Sequence, residues 1–115
     1  MGTITAKRLG WLGFLALAAC ALAGAQEKFA LVIGNGAYTG ISRLNNPVND
    51  AQDMTAALKG LGFSVETVLN GNLEQMEDAA GRFKSRLLAS RSTYGFLFYA
   101  GHGVQSNGEN YLLPV

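Results

Sequence analysis

Three short apolar runs, each cut off by glycine or asparagine, alternate with two stretches of helical periodicity, and that alternation leaves few folds open. Phe29 to Ile33 (F-A-L-V-I) is apolar without a break and stops at Gly34-Asn35-Gly36. Phe63 to Leu69 is more mixed, with Glu66 and Thr67 included, and belongs near a sheet edge. Thr93 to Ala100 (T-Y-G-F-L-F-Y-A) is the most apolar and ends abruptly in Gly101-His102-Gly103. Short unbroken apolar runs suit strands buried on both faces of a parallel sheet. Strands alternating with helices then imply an α/β fold, here in β-α-β-α-β order with crossover connections.

The two helical stretches carry their own punctuation. Ala51, Met54, Leu58 and Leu61 recur at helical spacing and form one apolar face. That helix starts between Pro47 and Ala51. Asn46 with Pro47 in the first turn is one cap, and Asn49 with Gln52 three residues on is the other. Gly60 and Gly62 supply its stop, because glycine adopts the left-handed conformation cheaply. Asn72 with Gln75 caps the second helix, and Leu73, Met76, Ala80, Phe83 and Leu87 make its inward stripe. Residues 35 to 49 are rich in Gly, Asn and Ser and read as a long loop, of a length that tends to be functional in a compact domain.

The N-terminus stands apart from this pattern. Lys7 and Arg8 precede an apolar stretch of 14 residues, Leu9 to Leu22, and small residues follow at Ala23-Gly24-Ala25. Basic, apolar, then small is the layout of a secretory signal peptide, here of bacterial export type, and a membrane-crossing helix would need about 20 apolar residues. Residues 1–25 are therefore expected to be a signal peptide and 26–115 a single domain, destined for the periplasm or the exterior. A second processing route is open: Leu17-Ala18-Ala19-Cys20 resembles a lipobox, which would make Cys20 a lipidated N-terminus and a membrane anchor. Cys20 is the only cysteine, and it lies outside the domain.

Removing residues 1–25 takes two of the nine Lys and Arg and none of the eight Asp and Glu, leaving a net charge of −1. A near-neutral domain without a basic run offers no electrostatic footprint for nucleic acid. With one histidine and no cysteine left, a zinc site has too few ligands. A dinucleotide site fits no better. After Gly34 and Gly36 the third glycine, Gly40, comes one residue late, and the helix that should hold the phosphate waits until Pro47.

His102 is the only histidine. A lone histidine is more often structural than catalytic, but this one follows an apolar strand at the carboxyl edge of the sheet. In parallel sheets ligands and chemistry gather at that edge. The long loop after the first strand ends at the same edge. Flanking glycines leave room for a substrate backbone, and the Gly103 N–H is the kind of donor that stabilises an oxyanion.

The stretch F-L-F-Y-A-G-H-G at 96–103 closely resembles the histidine motif of the caspase, metacaspase and bacterial caspase-like cysteine peptidases. Other pieces are similar in order: F-A-L-V-I-G-N-G-A-Y at 29–38, L-N-N-P-V-N-D-A at 44–51, L-K-G-L-G-F at 58–63 and E-N-Y-L-L-P-V at 109–115. The resemblance implies a caspase-like three-layer sandwich with a mostly parallel sheet, of which this chain is an incomplete, N-terminal part. It implies a cysteine endopeptidase acting on peptides or proteins, with His102 as acid/base and Gly103 as an oxyanion donor. The nucleophile is a cysteine at the end of the next strand, expected beyond Val115, so these 115 residues are expected to be inactive alone. Asp50 matches the position of a pocket acid that selects Arg or Lys; the bland alternative is that it complements a helix N-terminus, worth about 0.3–1 kcal/mol. No cofactor is implied, although parts of the family depend on calcium. The competing function is a non-catalytic caspase-like binding or scaffold domain.

Overall fold

The computed structural model describes residues 26–91 and 93–115. The expected signal peptide, with Cys20 and the cleavage site after Ala25, lies outside the described residues.

Three parallel strands form the main sheet in the order β2-β1-β3: β1 (Glu27–Gly34), β2 (Ser64–Leu69) and β3 (Thr93–Ala100). Helix α1 (Pro47–Gly60) covers one face and helix α2 (Leu73–Leu88) the other. This is a three-layer α/β domain, consistent with an incomplete caspase-like fold. A hairpin follows, β4 (Gly103–Ser106) paired antiparallel to β5 (Glu109–Leu112).

The central strand anchors both layers because its side chains alternate between them. Ala30 and Val32 pack with Ala51 and Leu58 of α1; Leu31 and Ile33 pack with Met76 and Ala79 of α2. All four β1 residues are at most 3% exposed. Full burial of a Leu, Val or Ile side chain stabilises by about 1.5–3 kcal/mol, so β1 contributes more than either neighbour.

The outer strands are drier on paper than in space. β2 lies at an edge, as its mixed composition implies, with Glu66 paired to Arg82 of α2 at 2.6 Å. β3 is the other edge among the described residues, although its sequence is the most apolar. Leu97 is 57% exposed and Tyr94 55%. For Leu97 the reason is coverage, since α2 lies mainly over β1 and leaves the α2 side of β3 half open; Tyr94, on the other face, stands at the start of the strand beside Lys28.

Helix ends follow sequence chemistry with two corrections. α2 carries the full capping box: Asn72 Oδ1 accepts from the Gln75 N–H, and Gln75 Oε1 accepts from the Asn72 N–H, both at 2.9 Å. α1 begins at Pro47 after Asn46, but the Asn46 side chain makes no cap bond, and Asn49 lies inside the helix. Gly62, at φ 87°, supplies the left-handed turn beyond α1. Leu61 is 64% exposed and does not belong to the apolar face. In α2, Ala79 rather than Ala80 faces the sheet, while Leu73 is 56% exposed.

Candidate active site

The site forms where the loops that leave β1, β2 and β3 meet beyond the carboxyl ends of the strands. The chain moves from β1 outward to β2, then crosses back past β1 to β3. Where a parallel sheet reverses in this way, the adjoining strand ends open a crevice.

The loop from 35 to 46 is held at both ends. Asn35 donates its N–H to the Ala100 carbonyl at 2.8 Å, tying β1 to the end of β3. Asn70, at φ 52°, turns its Oδ1 to the N–H groups of Gly36 (3.0 Å) and Ala37 (3.1 Å). The Leu44 N–H donates to the Gly36 carbonyl at 2.9 Å and closes the loop at its base. A Cβ on Gly36 would collide with the Leu44 carbonyl, so this closure needs glycine.

Asn35 is fully buried and does further work with its side chain. Its Oδ1 accepts from the Gly71 N–H at 2.9 Å, and its Nδ2 donates to the Leu113 carbonyl at 3.2 Å. The start of the β1 loop, the β2–α2 turn and the segment after β5 are thereby joined through one amide. No buried side-chain polar atom among the described residues lacks a partner.

His102 stands half-buried between β3 and β4. Its Nε2 lies 2.7 Å from the Ser42 carbonyl. A carbonyl can only accept, so Nε2 carries a proton in both the neutral and the charged ring. Neutral His102 therefore leaves Nδ1 as the basic nitrogen, and Nδ1 has no protein partner among the described residues. The Tyr38 ring packs against the imidazole, centroids 4.8 Å apart and tilted by 54°. The long loop thus supplies both the acceptor that fixes the tautomer and a ring wall.

The backbone of His102 is fixed as closely. Its N–H donates to the Tyr38 hydroxyl at 3.0 Å, and its carbonyl accepts from the Tyr99 hydroxyl at 2.6 Å and the Leu113 N–H at 3.0 Å. Burial and the Tyr38 contact push the Tyr99 hydroxyl well above the ordinary tyrosine range, so it stays protonated and able to donate.

Gly103 opens β4 opposite Leu112. Pairs along an antiparallel ladder alternate between bonded and non-bonded. The bond from Leu113 to His102 makes the next pair, Gly103 with Leu112, the non-bonded one. The Gly103 N–H is then directed away from β5, as an outward donor requires.

Asp50 lies exposed in the first turn of α1, its N–H bonded to the Asn46 carbonyl at 2.9 Å. It shares the carboxyl edge with His102, because the start of α1 presses on the end of β1 at Gly34. No ion pair of Asp50 is present among the described residues.

A larger concavity, about 430 Å³, lies elsewhere, along β2 and α2 around the Arg82–Glu66 pair. Those charges already satisfy each other, so volume alone is a poor guide here. A smaller cleft of about 290 Å³ adjoins the histidine side, between residues 38–41 and 113–115. Among the described residues no cluster of three or more His, Cys, Asp or Glu could hold a metal, and no helix is long and apolar enough to cross a membrane.

Ser42, Tyr38, Asn35 and Asn70 are not legible as site residues because each acts through partners distant in sequence, and Tyr99, three residues before His102, reads in the sequence as one more strand position. A three-layer α/β domain with a histidine held at the carboxyl edge of its sheet defines the class of protein. The family model described as "Caspase domain" matches residues 27–115, and the chain belongs to that family. It is 36% identical over 91 residues, 79% of its own length, to Mucosa-associated lymphoid tissue lymphoma translocation protein 1 of Homo sapiens. The homolog from Mus musculus matches at the same 36% over 91 residues. The chain spans 11% of the length of each of these curated relatives.

Proposed function

We propose that this chain is the histidine-bearing part of a cysteine endopeptidase. The observation that carries the reading is the state of His102: Nε2 is committed to the Ser42 carbonyl, and Nδ1 is left free at the edge where a substrate would lie. That is the arrangement of a general acid/base, which takes a proton at Nδ1 and returns it to the leaving amine. The Gly103 N–H would stabilise the oxyanion. The attacking thiolate would come from a cysteine on the strand that follows in the family, since Cys20 lies outside the domain. Its attack on the peptide carbonyl would form a thioester as the C–N bond breaks and the amine leaves with the proton from His102.

Asp50 is read as a pocket acid selecting Arg or Lys at the cleaved bond, and export through the N-terminal segment as the route to the periplasm or beyond. The test uses the complete protein containing the cysteine. His102→Ala should lower kcat/KM on a peptide by about 10²–10⁴-fold. Asp50→Ala should remove most cleavage after Arg and Lys, and undiminished cleavage would sink the pocket role. Full activity in His102→Ala would refute the peptidase assignment and leave a binding or scaffold domain.

A further inference from the structure

The peptidase reading uses the imidazole of His102 and leaves unexplained two phenols, buried Tyr38 and half-buried Tyr99. Packing alone does not call for the hydroxyls of Tyr38 and Tyr99, because phenylalanine would fill nearly the same volume. Burying a hydroxyl is unfavourable unless it finds a partner. Both hydroxyls converge on the backbone of His102 and on the Leu113 carbonyl beside it.

Counting protons fixes how they do so. A tyrosine hydroxyl has one proton to give and two lone pairs to receive. The two oxygens, 3.1 Å apart, face the carbonyls of His102 and Leu113 and the N–H of His102. Tyr99 also lies 3.0 Å from the Leu113 carbonyl, but only one assignment gives each carbonyl a tyrosine proton: Tyr99 donates to His102 at 2.6 Å and Tyr38 donates to Leu113 at 2.9 Å. The Tyr38 oxygen is then free to accept the His102 N–H at 3.0 Å. Each polar backbone atom of His102 thus has a tyrosine partner.

Gly101 gives a second, independent sign of the same device. A Cβ there would lie 2.5 Å from the Tyr99 hydroxyl oxygen and 2.7 Å from that of Tyr38. The residue before the histidine is therefore one that leaves the pair room to close.

We propose that Tyr38 and Tyr99 are positioning residues that clamp the peptide unit of His102 and, with the Tyr38 ring, hold its imidazole at one angle for proton transfer. The purpose of the clamp rests on the peptidase reading, but its existence can be tested apart from it. Because His102 is the only histidine, selective labelling gives one histidine amide and one ring in a nuclear magnetic resonance spectrum.

Tyr38→Phe and Tyr99→Phe in the full chain are expected to speed exchange of the His102 amide at least about 10-fold. The ring order parameter should fall from the rigid range (about 0.85) to below about 0.6. Val65→Ala, on the opposite sheet face, serves as a control that lowers stability without touching the site. In the cysteine-containing protein each Phe variant should lower kcat by about 10²-fold with KM little changed, as expected when a reacting group drifts by about an ångström.

If both Phe variants match Val65→Ala in amide exchange and ring order, the tyrosines are structural and the clamp is refuted. Loss of ring order with kcat unchanged would equally overturn a positioning role. If the complete wild-type protein shows no peptidase activity, the peptidase reading fails by itself, and the amide and ring measurements still decide the clamp.

Discussion

Replacing Asn35 by Asp changes one atom group in the driest part of the site and should make the fold depend on pH. The Asn35 Nδ2 donates to the Leu113 carbonyl at 3.2 Å and lies 3.5 Å from the Gly71 carbonyl and 3.3 Å from the Met76 sulfur. An aspartate would put an oxygen among these three electron-rich atoms while its other oxygen kept the Gly71 N–H. Only the protonated acid could donate to Leu113, so its folded-state pKa must rise above the unfolded value of about 3.9. A raised acid keeps its stability below the unfolded pKa and loses it as pH climbs through the folded pKa, at up to about 1.4 kcal/mol per pH unit. Full burial raises a carboxyl by about 3–5 units, so by pH 7 the loss reaches about 4 kcal/mol (about 3 units above 3.9 at about 1.4 each), near the lower end of an ordinary domain's whole stability. Urea denaturation of Asn35→Asp and wild type, in parallel from about pH 4 to about pH 7.5, reads the difference directly. Asn35→Ala has nothing to titrate and should show a constant deficit of about 1–3 kcal/mol for the orphaned Gly71 N–H. An equally flat difference for Asn35→Asp would mean that water reaches this amide, and the dry junction described above would be wrong.

Gly34→Ala should reach or exceed the upper end of the usual 1–3 kcal/mol for overpacking (about that range). The new Cβ would meet the Pro47 carbonyl and stand 2.6 Å from the Ala51 Cβ, forcing β1 and α1 apart; a melting temperature like wild type would contradict this contact. Gly60→Ala, at a helical position with open space around it, should instead stabilise by about 0.4–1 kcal/mol in the same melt. Asn72→Ala should lose about 1 kcal/mol and Asn72→Ser little, read by chemical denaturation, because serine restores the bond to the Gln75 N–H.

What could be read from the residues depended on whether the cause was local. The apolar run at β1, the capping box at Asn72 and the glycine stop after α1 are local, and each appears where the sequence puts it. The burial of β3 depends on what lies beside it, so its composition overstated how much of Leu97 and Tyr94 is covered. The hairpin after His102 carries a strong local turn signal in Asn107-Gly108 but no apolar strand pattern beside it. Both residues take positive φ, 50° and 80°, as a two-residue hairpin turn requires. The strands on either side are only four residues each and largely polar, too short to show an alternating apolar pattern. The position of His102 and Gly103 at the carboxyl end of β3 was legible from the apolar run before them. The partners of His102 were not, because Ser42 and Tyr38 are 60 and 64 residues away along the chain.

Those separations bear on when the histidine becomes competent as the chain is made. The Leu113 carbonyl binds Tyr38 and Asn35 across 75 and 78 residues, and Val115 reaches back to the Gly71 carbonyl at 2.9 Å. Strands β1 and β2 with α1 between them are contiguous and can associate while synthesis continues, since domains generally fold as units from the N-terminal side. The carbonyl that receives the Tyr38 hydroxyl is made eleven residues after His102 itself. Until that stretch has left the ribosome and folded back, the imidazole has its strand but only part of its mounting. A nascent chain therefore carries His102 in an unset state until residues 113–115 have folded back onto Tyr38, Asn35 and Gly71.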